Sequence, residues 1–251
     1  MHNTVIVDDS WIVSGSSVRR EYLKLPGDLA ILTSCFSIRL PSQLQRDAAV
    51  LAFSIECSDR LLDAIPQADR RVQFGSAILS HLEGGGRSDD GVTVELMGWL
   101  AQLREVAERH GVSDQFREIV HELLSNSEQM RTTQSHARFV GCAVKEGRLM
   151  VEMLLLILVD ISTPQFESFM RKLSEPANLG DKLRDARRDY QCGEIAIQPT
   201  WKLRGRLACE LFWRVLCLTR FCARNARLMI WGIRSMFTEL FWFRFSKSHS
   251  R

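Results

Sequence analysis

Two aspartates in the last third of the chain form the pattern with the clearest chemical meaning. Asp185 and Asp189 lie four residues apart in the segment LRDARRDYQCGEIAIQP, which spans 183–199. On an α-helix this spacing puts both carboxylates on one face, beside Arg184 and Arg188. Mg²⁺ binds one or two protein carboxylates together with water and phosphate oxygens. The pattern is therefore typical of a site for Mg²⁺ and a diphosphate, or else of a solvated helix with ordinary charge pairs.

A second pair of aspartates has the same spacing far away in the sequence. Asp59 and Asp63 end the segment AAVLAFSIECSDRLLD, which spans 48–63 and is rich in apolar residues. This composition predicts a mostly buried helix, and a buried carboxylate is costly unless it is paired or bound to a metal. We therefore expect the two pairs to face each other at the mouth of an apolar helical bundle.

The composition and the spacing of apolar residues predict an all-α protein. The chain has 251 residues, 45% of them apolar, and a net charge of +3 that favours no class of partner. Period-two alternation is confined to 194–198, and the glycines of the segment HLEGGGRSDDG (81–91) indicate a loop. We treat 1–251 as one domain with an irregular start at 1–26. Helices are predicted over 28–38, 42–65, 68–83, 93–110, 113–131, 134–161, 164–175 and 177–192.

Three segments in this order resemble the signatures of the squalene and phytoene synthase family. The segment SCFSIRLPSQLQRDAAVLAFSIECSDRLLD (34–63) has an LP turn, a basic residue, an apolar helix and a DxxxD motif. The segment at 183–199 resembles the second signature, an LRDxxxD helix followed by glycine and an extended stretch ending in proline. Between them, RFVGCAVKEGRLM (138–150) is similar to the family's middle helix.

The resemblance implies a fold, an activity and a set of site residues. The fold would be an isoprenoid-synthase-like helical bundle around a central apolar cavity. The activity would be that of a prenyltransferase, which uses Mg²⁺ to ionise allylic prenyl diphosphates and couples two of them head to head. The four aspartates would be the metal ligands and the catalytic groups. The diphosphate would be bound by four basic residues: Arg46, Lys182, Arg184 and Arg188.

Departures from the family pattern leave two other functions open. Asn178 and Asp181 stand where the family usually has Gln and Asn, and 121–133 lacks the tyrosines and the aspartate expected there. One alternative is a terpene synthase that cyclises or quenches a single prenyl diphosphate. The other is a catalytically silent relative that acts as a membrane-associated assembly protein.

The C-terminal segment, 201–251, is basic and aromatic. It contains four of the six tryptophans and a series of arginines at helical spacing: Arg220, Arg224, Arg227 and Arg234. Such a series predicts one basic helix face, which is typical of helices that lie in a membrane interface. Trp231 and Trp242 would then lie at the level of the lipid headgroups. The alternative is that this segment forms the last helices of the bundle.

The remaining patterns bear on localisation and exclude several function classes. The seven cysteines form no CxxC pair and indicate reduced thiols, hence a cytoplasmic protein that could associate peripherally with the inner face of the membrane. We expect no signal peptide, because acids precede any long apolar run at the N-terminus. The apolar run at 149–159 is too short to span a bilayer. No recognisable module predicts nucleic-acid binding.

Overall fold

A computed structural model describes residues 20–86, 91–223 and 225–232, and these residues are helical, with no strand among them. The all-α prediction is therefore confirmed. A short helix at 226–232 follows the last of the long ones. The eight long helices are α1 (Arg20–Cys35), α2 (Ser42–Asp63), α3 (Ala68–Leu82), α4 (Val94–Arg109), α5 (Ser113–Thr132), α6 (His136–Ile157), α7 (Pro164–Gln191) and α8 (Trp201–Cys222).

Two prolines lie inside helices where the sequence predicts irregular structure or a break. Pro26 lies within α1, which begins at Arg20 although we expected an irregular segment up to 26. Pro176 lies within α7, so the two helices predicted over 164–175 and 177–192 are one. An internal proline removes a backbone hydrogen bond and strains the helix. At Pro176 this cost is offset by packing, because Ser174, Glu175 and Pro176 are all buried.

Helices α6 and α7 form an antiparallel hairpin joined by a turn at 158–163. The amide of Asn178 on α7 donates a 2.6 Å hydrogen bond to the carbonyl oxygen of Ala143 on α6. Nearer the turn, Arg171 Nε donates to Glu152 Oε1 at 2.7 Å. Thr163 caps the start of α7 by accepting a 3.3 Å hydrogen bond from the backbone N–H of Phe166. The hairpin thus fixes which residues of the two helices face each other.

The hairpin connects two hydrophobic clusters. The larger cluster contains residues of α1 to α5 together with the end of α6 and the start of α7, such as Met153 and Phe166. The smaller cluster contains the start of α6, the second half of α7, the segment 195–197 and the start of α8. Each long helix of the hairpin therefore lies partly in both clusters. The second aspartate pair belongs to the part of α7 that packs in the smaller cluster.

Gly147 allows α6 and α7 to approach each other closely. A Cβ atom at this position would lie 2.7 Å from the carbonyl oxygen of Ser174 and 3.1 Å from Cβ of Asn178. Real Cβ atoms do not approach a backbone oxygen so closely. Only glycine fits this crossing, and it lies one residue after Glu146, which belongs to the candidate site.

A buried carboxylate attaches α8 to the hairpin. Glu175 on α7 is buried and forms ion pairs with Arg148 on α6 and with Arg214 on α8. Arg214 also contacts Glu210 on its own helix, at 2.8 Å. A buried carboxylate needs such partners, and breaking a pair of this kind is strongly destabilising. The inner face of α8 is thereby held against the bundle.

The predicted single basic face in the C-terminal segment is wrong for the arginines that the structure describes. Helix α8 ends at Cys222, and a new helical segment begins at 226. Asn225 Oδ1 caps this segment by accepting hydrogen bonds from the N–H groups of Arg227 and Leu228, at 3.1 and 3.3 Å. Arg220 and Arg227 consequently belong to different helices.

The other four residues of the C-terminal prediction have different outcomes. Arg224, Arg234 and Trp242 lie outside the described residues. Trp231 packs against Phe169 with ring centroids 6.5 Å apart, so its ring contributes to the core rather than to a membrane-facing surface. Among the described helices, none combines the length and the apolar character that crossing a bilayer requires.

Candidate functional site

Lys182 lies within electrostatic reach of an aspartate from each pair. Its Nζ is 3.1 Å from Oε2 of Glu146 on α6, and its side chain is about one-fifth exposed. Burial alone would lower the pKa of Lys182, but the charges of Glu146, Asp59 and Asp189 outweigh it and raise the pKa. The lysine therefore joins α2, α6 and α7 electrostatically.

Asp59 lies near the end of α2 and has a raised pKa. Its side chain is exposed to solvent, yet desolvation by the surrounding protein, helped by the neighbouring charge of Asp63, raises its pKa to about 6. Lys182 and Arg131 act in the opposite direction and favour its charged form.

Arg131 holds Asp63 in place. It lies near the end of α5, its side chain is almost fully buried, and it forms a close ion pair with Asp63 Oδ1. Its backbone carbonyl oxygen accepts a 2.8 Å hydrogen bond from the N–H of Ala196, beyond the end of α7. The arginine therefore connects the first aspartate pair to the segment that follows the second.

Glu194 brings an additional carboxylate between the two pairs. Its backbone N–H donates a 2.8 Å hydrogen bond to the carbonyl oxygen of Asp189. The alternation expected at 194–198 appears in burial, since Ile195 and Ile197 are buried and fix this segment. Burial, followed by the charges of Asp63 and Asp189, raises the pKa of Glu194 to about 7. The Glu194 carboxylate therefore interacts electrostatically with one aspartate of each pair.

The second pair is accompanied by the arginines that the sequence placed beside it. Asp189 is buried, its Oδ1 accepts a 3.0 Å hydrogen bond from Arg188, and burial raises its pKa. Asp185 is half-buried and lies 3.1 Å from Arg184 and 3.6 Å from Arg188. The carboxylates of the pair therefore share Arg188.

Carboxylates outnumber cations in this cluster. Its acids come from four parts of the chain: Asp59, Asp63, Glu146, Asp185, Asp189 and Glu194. Its cations are Arg131, Lys182, Arg184 and Arg188. Burial is the main cause of the raised pKa values of Asp59 and Glu194, and neighbouring carboxylates raise them further. The cluster would therefore gain from an additional cation.

Within the described residues, no three His, Cys, Asp or Glu side chains are arranged to hold one metal ion among them. Mg²⁺ keeps several waters and binds through one or two carboxylates plus substrate phosphates. Each aspartate pair supplies two carboxylates.

The expected burial of the aspartate pair on α2 is wrong. Asp59 is exposed and Asp63 is half-buried, whereas the buried acids of this helix are Asp47 and Glu56. Asp47 is stabilised by Arg109, the last residue of α4, and by His110 directly after it, at 2.7 and 3.0 Å. The apolar pattern of α2 predicted burial correctly, but the terminal turn with the aspartate pair extends beyond the core.

Arg46 does not belong to the cluster. It is exposed on α2, and at 1.5 Å per residue it lies about 20 Å along the helix from Asp59. The other predicted diphosphate ligands, Lys182, Arg184 and Arg188, do accompany the aspartates. Arg46 follows the LP turn as the resemblance requires, but it lies too far along α2 to contact the diphosphate site that the resemblance implies.

A cavity of about 220 Å³ lies elsewhere in the bundle. It is formed where α3 ends and where α4 and α5 meet, and its lining mixes charged and apolar groups, among them Arg104, Arg117 and Phe116. This cavity differs in place and in lining from the central apolar cavity that the resemblance implies.

Three residues of the cluster were not predicted from the sequence. Glu146 is an acid within the apolar helix α6, and this contrast was a usable signal. Glu194 follows Gly193, whose φ of 77° marks the turn that ends α7. Arg131 carries no local signal, because only tertiary packing brings the end of α5 to α2.

Comparison with known proteins gives no relative: no family model, no curated protein and no solved structure matches this chain.

Proposed function

We propose that the chain is a Mg²⁺-dependent isoprenoid synthase that ionises allylic prenyl diphosphates and couples two of them head to head. One observation carries the proposal. Asp59 and Asp189, one from each aspartate pair and on separate helices, both interact electrostatically with the partly buried Lys182. The coupling reaction itself follows from the resemblance to the squalene and phytoene synthase family.

The excess of carboxylates supports a role for a divalent cation. Asp59, Asp63, Asp185 and Asp189 would hold Mg²⁺, which when bound neutralises the negative charge of a departing diphosphate. Without the ion, Lys182 and the arginines supply part of the charge that the acids require.

Lys182, Arg184 and Arg188 would bind the diphosphate directly. An ammonium group has three donors, so Lys182 can keep its contact with Glu146 and still donate to phosphate oxygens. Guanidinium groups match phosphate oxygens with two parallel donors. Because these cations are already held by the acids, they would meet the leaving group with little reorganisation, which is what electrostatic catalysis needs.

Arg131 and Glu194 would position the acids rather than touch the substrate. Arg131 fixes the Asp63 carboxylate from its buried side. Glu194 closes the end of α7 through its hydrogen bond to the backbone of Asp189. Both residues tie the segment at 194–197 to the two aspartate pairs.

The same contacts favour a second candidate, a catalytically silent relative of the fold. Asp63, Glu146, Asp185 and Asp189 each have a protein cation as a partner. A network of ion pairs of this kind can hold helices together without any ligand. A silent assembly protein would use it in that way.

Product analysis tests the proposal. The purified chain is incubated with Mg²⁺ and geranyl, farnesyl or geranylgeranyl diphosphate, and the organic extract is analysed by mass spectrometry. We expect diphosphate release and a hydrocarbon product with twice the carbon count of its substrate. A product of unchanged carbon count would replace coupling by cyclisation or quenching. Absence of both product and diphosphate release would overturn the proposal in favour of the silent relative.

A further inference from the structure

The outer face of α8 is apolar and aromatic although it is exposed. Trp201, Phe212 and Trp213 are 79%, 70% and 55% exposed, and Val215 is exposed as well. The inner face, in contrast, carries the buried leucines Leu203 and Leu207. Exposed apolar surface of this extent usually marks an interaction site.

The exposed residues lie on one stripe of the helix. At 3.6 residues per turn, Trp201, Ala208, Phe212, Val215 and Thr219 share one side of α8. Trp213 lies about 100° further round the helix than Phe212, on the side of Lys202, Arg206 and Arg220. Because Glu175 bridges Arg148 and Arg214 from the inner side, the helix presents this stripe in a fixed orientation.

Basic residues border the stripe on both sides. Arg204 lies along one edge, and Lys202, Arg206 and Arg220 lie along the other; all four are exposed. The single acid of α8, Glu210, contacts Arg214 on the side facing the bundle. The outer face therefore carries positive charge that no acid of this helix compensates.

We propose that the outer face of α8, defined by Trp201, Phe212, Trp213 and Val215, docks on an anionic membrane surface. An aromatic stripe with basic borders fits the boundary between acyl chains and headgroups. Each basic residue near an anionic surface strengthens binding. A second copy of the chain fits less well, because a two-fold contact through this face would bring the basic borders together.

This docking surface differs from the basic face predicted from the sequence. Of the predicted arginines only Arg220 belongs to it, and its aromatic residues precede the break after Cys222. The inference does not rest on the proposed function of the acidic cluster, because the residues of the docking surface belong to α8 and the cluster does not include α8. A chain without synthase activity would still bind membranes through α8.

Vesicle sedimentation with the full chain tests the docking surface. Vesicles of phosphatidylcholine alone are compared with vesicles that also contain phosphatidylglycerol, at low and high salt. The wild-type chain should sediment with the anionic vesicles, less so at high salt. The double variant F212S/W213S and the triple variant K202Q/R206Q/R220Q should each bind about tenfold more weakly or worse. The triple variant should also lose most of the salt dependence.

Two control variants remove similar groups from other helices. Val94→Ser changes an exposed valine at the start of α4, and Arg70→Gln changes an exposed arginine on α3. Both should bind vesicles like the wild type. Circular dichroism and size-exclusion chromatography confirm the fold and report self-association. The proposal is overturned if the wild-type chain does not bind anionic vesicles or if F212S/W213S binds them as tightly as the wild type. It is also overturned if the wild-type chain is a dimer and F212S/W213S is a monomer.

Discussion

Replacement of Asp185 by asparagine is expected to lower diphosphate release at least about a hundredfold while the protein stays folded. The substitution removes a carboxylate that would hold Mg²⁺ and keeps the size of the side chain. Without the metal contact, the negative charge that develops on the leaving group loses its main stabilisation. The assay measures release of inorganic diphosphate from farnesyl diphosphate in Mg²⁺ buffer.

The folded state should tolerate this change. Asp185 is half-buried and contacts Arg184 and Arg188 at 3.1 and 3.6 Å, and asparagine can still accept a hydrogen bond there. Partly exposed ion pairs of this kind contribute about 0–1 kcal/mol. The melting temperature should therefore shift by only a few degrees.

Asp160→Asn is the matched control. Asp160 is exposed in the turn between α6 and α7, so its loss of charge should change neither the rate nor the melting temperature. A normal rate for Asp185→Asn would remove Asp185 from the catalytic groups. A large decrease in the melting temperature of that variant would mean that Asp185 stabilises the folded protein.

Gly147→Ala is expected to destabilise the protein by about 1–3 kcal/mol. The new Cβ would lie 2.7 Å from the carbonyl oxygen of Ser174, so α6 and α7 must move apart. Because Glu146 and Asn178 lie at this crossing, the movement also disturbs the contact of Lys182 with Glu146. The free energy of unfolding is measured by urea denaturation.

Gly141→Ala on the same helix is a control for which we expect the opposite change in the free energy of unfolding. Nothing lies within 4 Å of a Cβ at this exposed position. Alanine favours a helix over glycine by up to about 1 kcal/mol, so this variant should be more stable than the wild type. Equal effects of the two substitutions would mean that the helices do not approach as closely as the structure shows.

Most helix bounds follow from local sequence signals. Helices α2 to α5 begin and end within about two residues of their predicted limits, because apolar periodicity and capping residues are local properties. Thr93, for example, caps α4 by accepting a hydrogen bond from the N–H of Leu96. The continuity of α7 through Pro176 was missed, because it depends on burial between α6 and α8.

The sequence predicted the part of the candidate site whose residues are close together along the chain. The spacing of Asp185 and Asp189 and the neighbouring arginines lie within one helix, and the structure places them as the sequence suggests. Arg131 and Glu194 join the cluster only through tertiary contacts, which no local pattern encodes. Arg46 was assigned by resemblance alone, and the length of α2 separates it from Asp59.

Calorimetric titration with farnesyl thiodiphosphate, an unreactive analogue, tests most directly whether the two aspartate pairs form one Mg²⁺-diphosphate site. Wild-type protein is compared with Asp59→Asn on α2, Asp185→Asn on α7 and Asp160→Asn as the control, each with and without Mg²⁺. We predict binding that requires Mg²⁺ and that weakens about tenfold or more in both site variants, since each removes a ligand of the same ion cluster. The account would be contradicted by binding that does not require Mg²⁺ or by the absence of binding. It would also be contradicted if only one of the two site variants bound the analogue more weakly than the wild type.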